Sequence, residues 1–180
     1  TLTLKLIRPS VVSLGGRFPL KVILAGIMNK CGKTLIRWRL MKFAWRIKEH
    51  QEVVSRACEK HISKAPSEGK CAVRRKTRVI GQNELIGGWN FDSAGGEIRM
   101  ELEASASPAG NSSCEADCQD GLRVTHDLVI ELVIIEDVRV RRNKKLHTQH
   151  CATRVLRRSF RLYIAEHRGL DACSDVEMPP

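Results

Sequence analysis

Apolar and polar residues alternate with a period of two along most of this chain, as expected for β-strands with one buried face. In Glu97–Glu103, Ile98, Met100 and Leu102 share one face, and charged residues occupy the other. Arg17–Leu24 shows the same alternation. No segment of comparable length shows the three-to-four spacing of an amphipathic helix. The pattern therefore predicts an all-β protein.

Thr34–Lys48 predicts a long strand whose buried face changes partway along. The apolar residues fall first on even positions and then on odd ones: Ile36, Trp38 and Leu40, then Met41, Phe43, Trp45 and Ile47. A change of parity inside one apolar run is what a β-bulge produces, because one extra residue turns every later side chain to the opposite face. We therefore expect a bulge near Met41.

Four other segments alternate in the same way: Thr1–Arg8, Ala72–Ile80, Leu122–Arg141 and Thr153–Ala165. The strongest is Leu122–Arg141, in which His126 shares a face with Leu128 and the apolar residues that follow it. In total the pattern predicts about seven or eight strands. Two packed sheets in an immunoglobulin-like β-sandwich are the expected architecture.

The predicted domain organisation is a single lobe over residues 1–170. Within it, residues 104–121 are rich in Ser, Ala and Gly, have no period, and predict a mobile loop. Residues 142–148 predict a basic turn, and residues 171–180 predict an acidic tail that ends in two prolines.

Composition excludes some classes of protein. The chain has 180 residues with a hydrophobic fraction of 42%, which is enough for a buried core. Its longest apolar run, Leu128–Ile135, is interrupted by Glu131 and is far shorter than the roughly 18 residues of a membrane-spanning helix. The seven cysteines are scattered and odd in number, which fits a reducing compartment better than a disulfide-rich secreted scaffold.

Positive charge is concentrated near the end of the chain. The formal net charge is +11, and residues 139–168 contain ten Lys or Arg residues and one acid, Glu166. We expect a basic face that attracts an anionic membrane surface or an acidic partner. The alternative interpretation is a solvated face that only keeps the domain soluble. The predicted binding residues are Arg139, Arg141, Arg142, Lys144, Lys145, Arg154, Arg157, Arg158 and Arg161.

Catalytic and metal-binding patterns are weak in this sequence. Structural zinc sites need four thiolate or imidazole ligands, usually as two close pairs. The available pairs lie on separate segments with no repeated spacing: Cys58 with His61, Cys114 with Cys118, and His147 with His150 and Cys151. There is no Gly-x-Ser-x-Gly elbow and no phosphate-binding loop. We predict no enzyme activity, no metal and no cofactor.

Nucleic-acid binding is the alternative function that the charge suggests. Single-strand binders stack bases on exposed aromatic side chains. This chain has eight aromatic residues, and most of them, including Trp38 and Trp45, fall on the apolar face of a predicted strand. The pattern therefore disfavours nucleic acid as a partner without removing it as an alternative.

Several motifs, taken in order, resemble one family. They are Pro9–Val22 with its Leu-Gly-Gly-Arg-Phe-Pro core, Gly87–Asn90, Gly95–Ile98, Val124–Leu132 with its His-x-Leu-Val-x-Glu pattern, and a closing segment from Arg168 to Pro180. Together they resemble the fungal arrestin-like domain of the low-dye-binding type, which occurs in α-arrestins, the arrestin-related trafficking adaptors.

The resemblance implies a β-sandwich lobe that performs no chemistry. Proteins of this family link plasma-membrane transporters to a HECT-type ubiquitin ligase for ubiquitin-dependent endocytosis, and they are cytoplasmic proteins recruited to the plasma membrane, endosome or Golgi. They recruit the ligase through Pro-Pro-x-Tyr motifs read by WW domains, and these 180 residues contain no complete motif of that kind. The remaining alternatives are a nucleic-acid-binding β-domain and a purely structural lobe that packs on a partner lobe.

Overall fold

The computed structural model describes residues 2–55, 72–92, 96–106, 113–118, 121–142 and 145–166. These residues form an all-β fold, which confirms the predicted fold class. The strands are β1 Thr3–Ile7, β2 Val11–Ser13, β3 Arg17–Ala25, β4 Met28–Cys31, β5 Thr34–Ser55, β6 Ala72–Leu85, β7 Asn90–Asp92, β8 Glu97–Ser105, β9 Ala116–Asp117, β10 Leu122–Arg142 and β11 Lys145–Ala165.

The strands are arranged in two sheets of unequal size. The smaller sheet has the order β1-β3-β8-β7, and every pair in it is antiparallel. The larger sheet has the order β2-β11-β10-β5-β4, with β6 paired to the second half of β5 and β9 paired to the start of β10. β2 pairs in parallel with the end of β11 and is the one parallel pairing among the described strands. This architecture is consistent with an arrestin-type β-sandwich.

The core lies between the inner faces of the two sheets, where each strand contributes alternate residues. In β3, Phe18, Leu20, Val22 and Leu24 are almost fully buried. Strands β5 and β10 supply most of the opposite layer: Phe43, Trp45, Ile47, Leu128, Ile130, Leu132 and Ile134. Burial of these side chains is the main favourable contribution to folding.

The predicted bulge in the long strand is confirmed. Along β10, Val133 pairs with Lys42 and the next residue, Ile134, pairs with Leu40, so that Met41 has no partner in this ladder. The buried residues of β5 accordingly change from even to odd numbers across Met41. The parity of the apolar residues thus located an irregularity in backbone pairing.

The structure corrects two boundaries. The expected loop at 104–121 begins with strand, because β8 continues to Ser105 and both Ala104 and Ala106 are fully buried. Later in the same range, β9 pairs with β10. The expected basic turn at 142–148 is also shorter, because β11 already begins at Lys145. The expected tail at 171–180 lies outside the described residues.

The strand count exceeds the prediction because four of the eleven described strands are very short. β2, β4, β7 and β9 contain two to four residues each. Alternation cannot be recognised over such lengths, and these strands are defined instead by pairing with a long neighbour.

Candidate binding surface

The structure places eight of the nine predicted basic residues on β10 and β11 of the larger sheet. Side chains are described for Arg139, Arg154, Arg157, Arg158 and Arg161. The backbones of Arg141, Arg142 and Lys145 lie in β10 and β11, and Lys144 lies outside the described residues.

Two of the predicted residues lie on the inner face of the larger sheet. Arg154 pairs with Ile134 and Arg158 pairs with Ile130 across the β10–β11 ladder. Directly paired residues project to the same side of a sheet, and both isoleucines are buried in the core. Arg154 and Arg158 therefore project toward the space between the sheets, at its open edge.

Arg157 and Arg161 project from the opposite, outer face. Their partners across the ladder are Glu131 and Asp127. The predicted basic set is therefore not one face, because the alternation of a strand separates side chains at 154 and 158 from those at 157 and 161.

Arg157 is largely neutralised by the outer face itself. Its Nε lies 3.0 Å from Oε2 of Glu131, and Arg46 Nη1 lies 3.6 Å from the same oxygen. The hydrogen bond from Arg157 holds the pKa of Glu131 below its usual range, against the opposing effect of partial burial. Glu131 therefore remains ionised and compensates this part of the basic set.

A buried polar cluster lies beneath the start of β10. His126 and Glu49 are both fully buried, and His126 Nε2 lies 3.6 Å from Glu49 Oε2. On the other side of the ring, His126 Nδ1 lies 3.5 Å from Glu115 Oε2. The imidazole of His126 therefore lies between the carboxylates of Glu49 and Glu115. Glu115 also accepts a hydrogen bond from Arg161, which is one of the predicted binding residues.

Glu49 organises the rest of this cluster. Its carboxylate accepts hydrogen bonds from Gln51 Nε2 at 2.6 Å, Arg78 Nε at 2.8 Å and the backbone N–H of Ser113 at 3.0 Å. A buried charge needs several such partners to offset its loss of hydration. The contact with Ser113 attaches the segment 113–118 to the sheet, and Glu115 N–H donates to Ile164 O at 2.9 Å.

The structure also places Arg161, from the predicted set, beside basic residues that the set omitted. A recess of about 270 Å³ beside β5, β6 and β10 is lined by Arg75, Lys76, Arg123 and Arg161, together with His50. We call these five residues the basic recess. Arg75 and Arg123 flank Glu52 from its two neighbouring strands, and Glu52 is the one acidic residue among the described lining residues.

The sequence contained a signal for this recess. The segment Ala72–Ile80 is strongly basic, but it lies about 60 residues away from the basic end of the chain. Only the pairing of β5 with both β6 and β10 brings Arg75 beside Arg123. Arg75 Nε lies 2.7 Å from Glu52 Oε2, and this hydrogen bond raises the pKa of the Arg75 guanidinium.

No metal centre is found in the part of the chain that the structure describes, where no three His, Cys, Asp or Glu side chains are grouped for one. Cys114 is half-buried and Cys118 is exposed. Burial, and secondarily the charge of Glu166, raises the pKa of the Cys114 thiol, which disfavours the thiolate that a metal would require. The other candidate metal ligands have side chains outside the described set. The described residues also contain no helix able to cross a membrane.

Comparison with known proteins shows a similarity to one family over the first part of the chain. The LDB19 family model, described as "Arrestin_N terminal like", matches residues 1–65. The match covers β1–β5, including the Leu-Gly-Gly-Arg-Phe-Pro motif. It confirms the predicted resemblance to an arrestin-like domain of the fungal α-arrestin type.

Two curated relatives from Schizosaccharomyces pombe cover almost the whole chain. Uncharacterized protein C1F12.05 is 29% identical over 164 residues, which are 90% of this chain and 40% of the relative. Uncharacterized protein C18H10.20c is 24% identical over 177 residues, which are 96% of this chain and 44% of the relative. The chain therefore spans less than half the length of these two relatives.

Proposed function

We propose that this chain is a non-enzymatic arrestin-like adaptor lobe that contributes to linking plasma-membrane transporter cargo with a HECT-type ubiquitin ligase for endocytosis. The observation that carries the proposal is the arrestin-like match over residues 1–65 on a two-sheet β-sandwich. Within this proposal the lobe is cytoplasmic and is recruited to the plasma membrane, endosome or Golgi.

The working surface in this proposal binds an acidic transporter tail or an anionic leaflet. The basic recess is the best candidate, because four Lys and Arg side chains from three strands meet on one small surface. Three of these cations also contact a carboxylate: Arg75 contacts Glu52, Arg123 contacts Asp117 and Arg161 contacts Glu115. The fourth cation is Lys76. Each cation near an anionic leaflet gains roughly 1 kcal/mol, with a strong dependence on salt. The predicted residues Arg141, Arg142, Lys144 and Lys145 are a second candidate surface.

The test is co-sedimentation of the purified chain with vesicles containing phosphatidylserine, compared with neutral vesicles. Two charge reversals in the recess, Arg75→Glu with Arg123→Glu, are expected to weaken retention on anionic vesicles by roughly tenfold or more. The matched control is Lys21→Glu with Arg99→Glu on the smaller sheet. This control changes the net charge by the same amount as the recess variant. Like the recess variant, it removes two cations that take part in exposed ion pairs. Equal loss in both double variants would contradict a local binding surface.

Reversing Arg141, Arg142, Lys144 and Lys145 to Glu tests the second surface in the same assay. If that surface is the site, the fourfold variant loses retention while the recess variant keeps it. Retention by both variants would exclude both surfaces.

Other outcomes of this assay identify the alternatives. Easy displacement from vesicles by a duplex oligonucleotide, with quenching of tryptophan fluorescence, would indicate nucleic-acid binding. No retention on any ligand would favour the structural lobe. One observation supports the structural-lobe alternative. Three exposed apolar side chains lie near the β1–β11 edge, Ile7, Val11 and Tyr163, and Val11 pairs directly with Tyr163.

A further inference from the structure

In the part of the chain that the structure describes, the two sheets do not close along one side of the sandwich, between β1 and β11. A cleft of about 920 Å³ opens there and reaches the core between the sheets. Its floor is apolar and includes Leu4, Leu24, Trp38, Leu132, Ile134 and Phe160. Leu24, Leu132 and Ile134 are each only 1% exposed and belong to the core beneath the cleft. Leu4, Trp38 and Phe160 are only partly buried, and they present apolar surface to the cleft.

Sheet topology accounts for the opening. β1 is an edge strand of the smaller sheet. In the larger sheet, β2 pairs only with residues 163–165 of β11. Within the described residues, the preceding part of β11 has β10 on one side and no strand on the other. Inner-face side chains of these two edges therefore line an uncovered gap.

The basic side chains of the cleft are on β11. Arg154 lies over the Trp38 ring at 5.3 Å and is 3.6 Å from Glu136 Oε2. Arg158 also lines the cleft and is exposed, and none of the ion pairs among the described residues involves it. An apolar cavity with a cation at its mouth matches an amphiphile with one anionic end.

We propose that this cleft binds a long-chain fatty acid, with the alkyl chain between the sheets and the carboxylate at Arg158. The volume lies in the range of small-molecule sites, and the lining combines apolar side chains with a few charged ones. An alkyl chain has no polar groups of its own to satisfy, and its apolar surface matches the leucine and aromatic side chains of the cleft. An extended peptide, by contrast, would pair with the edge that β1 or β11 leaves free among the described strands, and it is the competing occupant that the test distinguishes. This inference does not depend on the adaptor function.

The test is equilibrium dialysis of the purified chain with radiolabelled palmitate below its micellar concentration. Saturable binding of one palmitate per chain is expected. Arg158→Gln is expected to weaken it roughly tenfold, because it removes a charge-assisted hydrogen bond. Leu156→Glu, which places a carboxylate at a half-exposed position of the lining, is expected to abolish it. Circular dichroism would establish that both variants retain the β fold.

The matched control is Arg99→Gln, which removes one exposed cation from the smaller sheet away from the cleft and should leave palmitate binding unchanged. Hexadecanol should bind more weakly than palmitate to the wild-type chain and equally to the wild-type and Arg158→Gln chains. Non-saturable palmitate uptake, or equal losses in Arg158→Gln and Arg99→Gln, would overturn the proposal. So would binding of an acidic, apolar peptide at this cleft with no binding of palmitate.

Discussion

Glu49 shows how a single residue can hold distant segments of this fold together. It is fully buried, and its carboxylate contacts Gln51, Arg78, His126 and the backbone of Ser113. These contacts join β5 to β6, to β10 and to the segment that precedes β9. Loss of this one carboxylate therefore affects three elements at once.

We expect Glu49→Ala to destabilise the chain by about 3 kcal/mol or more, because it leaves the partly buried Arg78 without this partner. Equilibrium unfolding in urea measures the change. Glu49→Gln, which keeps the shape and one acceptor, should cost less. The control is Glu101→Ala, which removes the exposed partner of Lys21 and should cost less than about 1 kcal/mol. Similar losses for the two alanine variants would contradict a structural role for the buried cluster.

The ion pair between Glu131 and Arg157 predicts a specific pH dependence. Because the folded pKa of Glu131 is lowered, its ionised form stabilises the fold at pH values above the unfolded pKa, about 4.3 for glutamate. That contribution is lost as the pH falls through the folded pKa. Arg157→Gln removes the largest cause of the shift. Urea unfolding should therefore show a difference between wild type and variant at pH 7 that shrinks below about pH 4.3. A constant difference would contradict this origin.

At the scale of elements, sequence alternation predicted the long strands well. The parity change at Met41 located the bulge, and the face shared by His126 and Leu128 is buried as expected. Glu49 was not predicted as buried, although it continues the inner parity of Ile47. A charged residue at that position looks like the end of a strand, and its partners come from β6 and from the segment before β9, which local pattern cannot identify.

The predicted basic face is divided for a related reason. Counting charge along the chain groups Arg154, Arg157, Arg158 and Arg161, although a strand projects them to two sides. Alternation, which predicted the strands, also predicts this separation when it is applied to the charged residues. The basic recess could not be predicted from alternation alone. Arg75 and Arg123 are separated by 48 positions and come together only because β5 pairs with both β6 and β10.

Gly81 is a position where β6 lies very close to β8 of the other sheet. A Cβ at Gly81 would lie 2.2 Å from the backbone oxygen of Ser105 in β8 and 3.4 Å from Ile47 Cδ1. Gly81 also pairs with Ile47 beside a second bulge. We expect Gly81→Ala to destabilise the chain by about 1–3 kcal/mol, because backbone must move to admit the methyl group. Gly87→Ala, where nothing lies within 4 Å of the new atom, is the control for thermal unfolding. Equal shifts in Tm would contradict a tight β6–β8 contact.

At the scale of the whole molecule, the unequal sheets determine both candidate ligand sites. Among the described residues, the apolar cleft lies between the edge strand β1 and the free edge of β11. On the β6 side, the outer surface of the larger sheet forms the basic recess. Neither site follows from any one strand, because each needs neighbours that are far apart in the chain. Sequence alternation specifies which face of a strand is apolar. Long-range pairing determines which of these apolar faces are packed in the core and which line an open cleft.

The same arrangement predicts where the fold is most stable. The central parts of β5 and β10 have paired strands on both sides: Phe43 pairs with Leu132 and Leu85, and Leu128 pairs with Ile47 and Phe160. Their inner residues are fully buried. Opening these strands breaks two ladders and exposes the core, whereas β1 and β6 each lose one ladder.

Native-state hydrogen exchange should therefore show the slowest amides at residues 43–47 and 128–132. Amides in β1 and in residues 73–79 of β6 should exchange through local opening at lower free energy. Mass spectrometry of peptic fragments across a time course measures both groups in one experiment. Glu49→Ala should accelerate exchange first in β6 and in residues 113–118, because Arg78 and Ser113 lose their shared acceptor. Uniform acceleration across the sheet would instead show that the larger sheet unfolds as one cooperative unit.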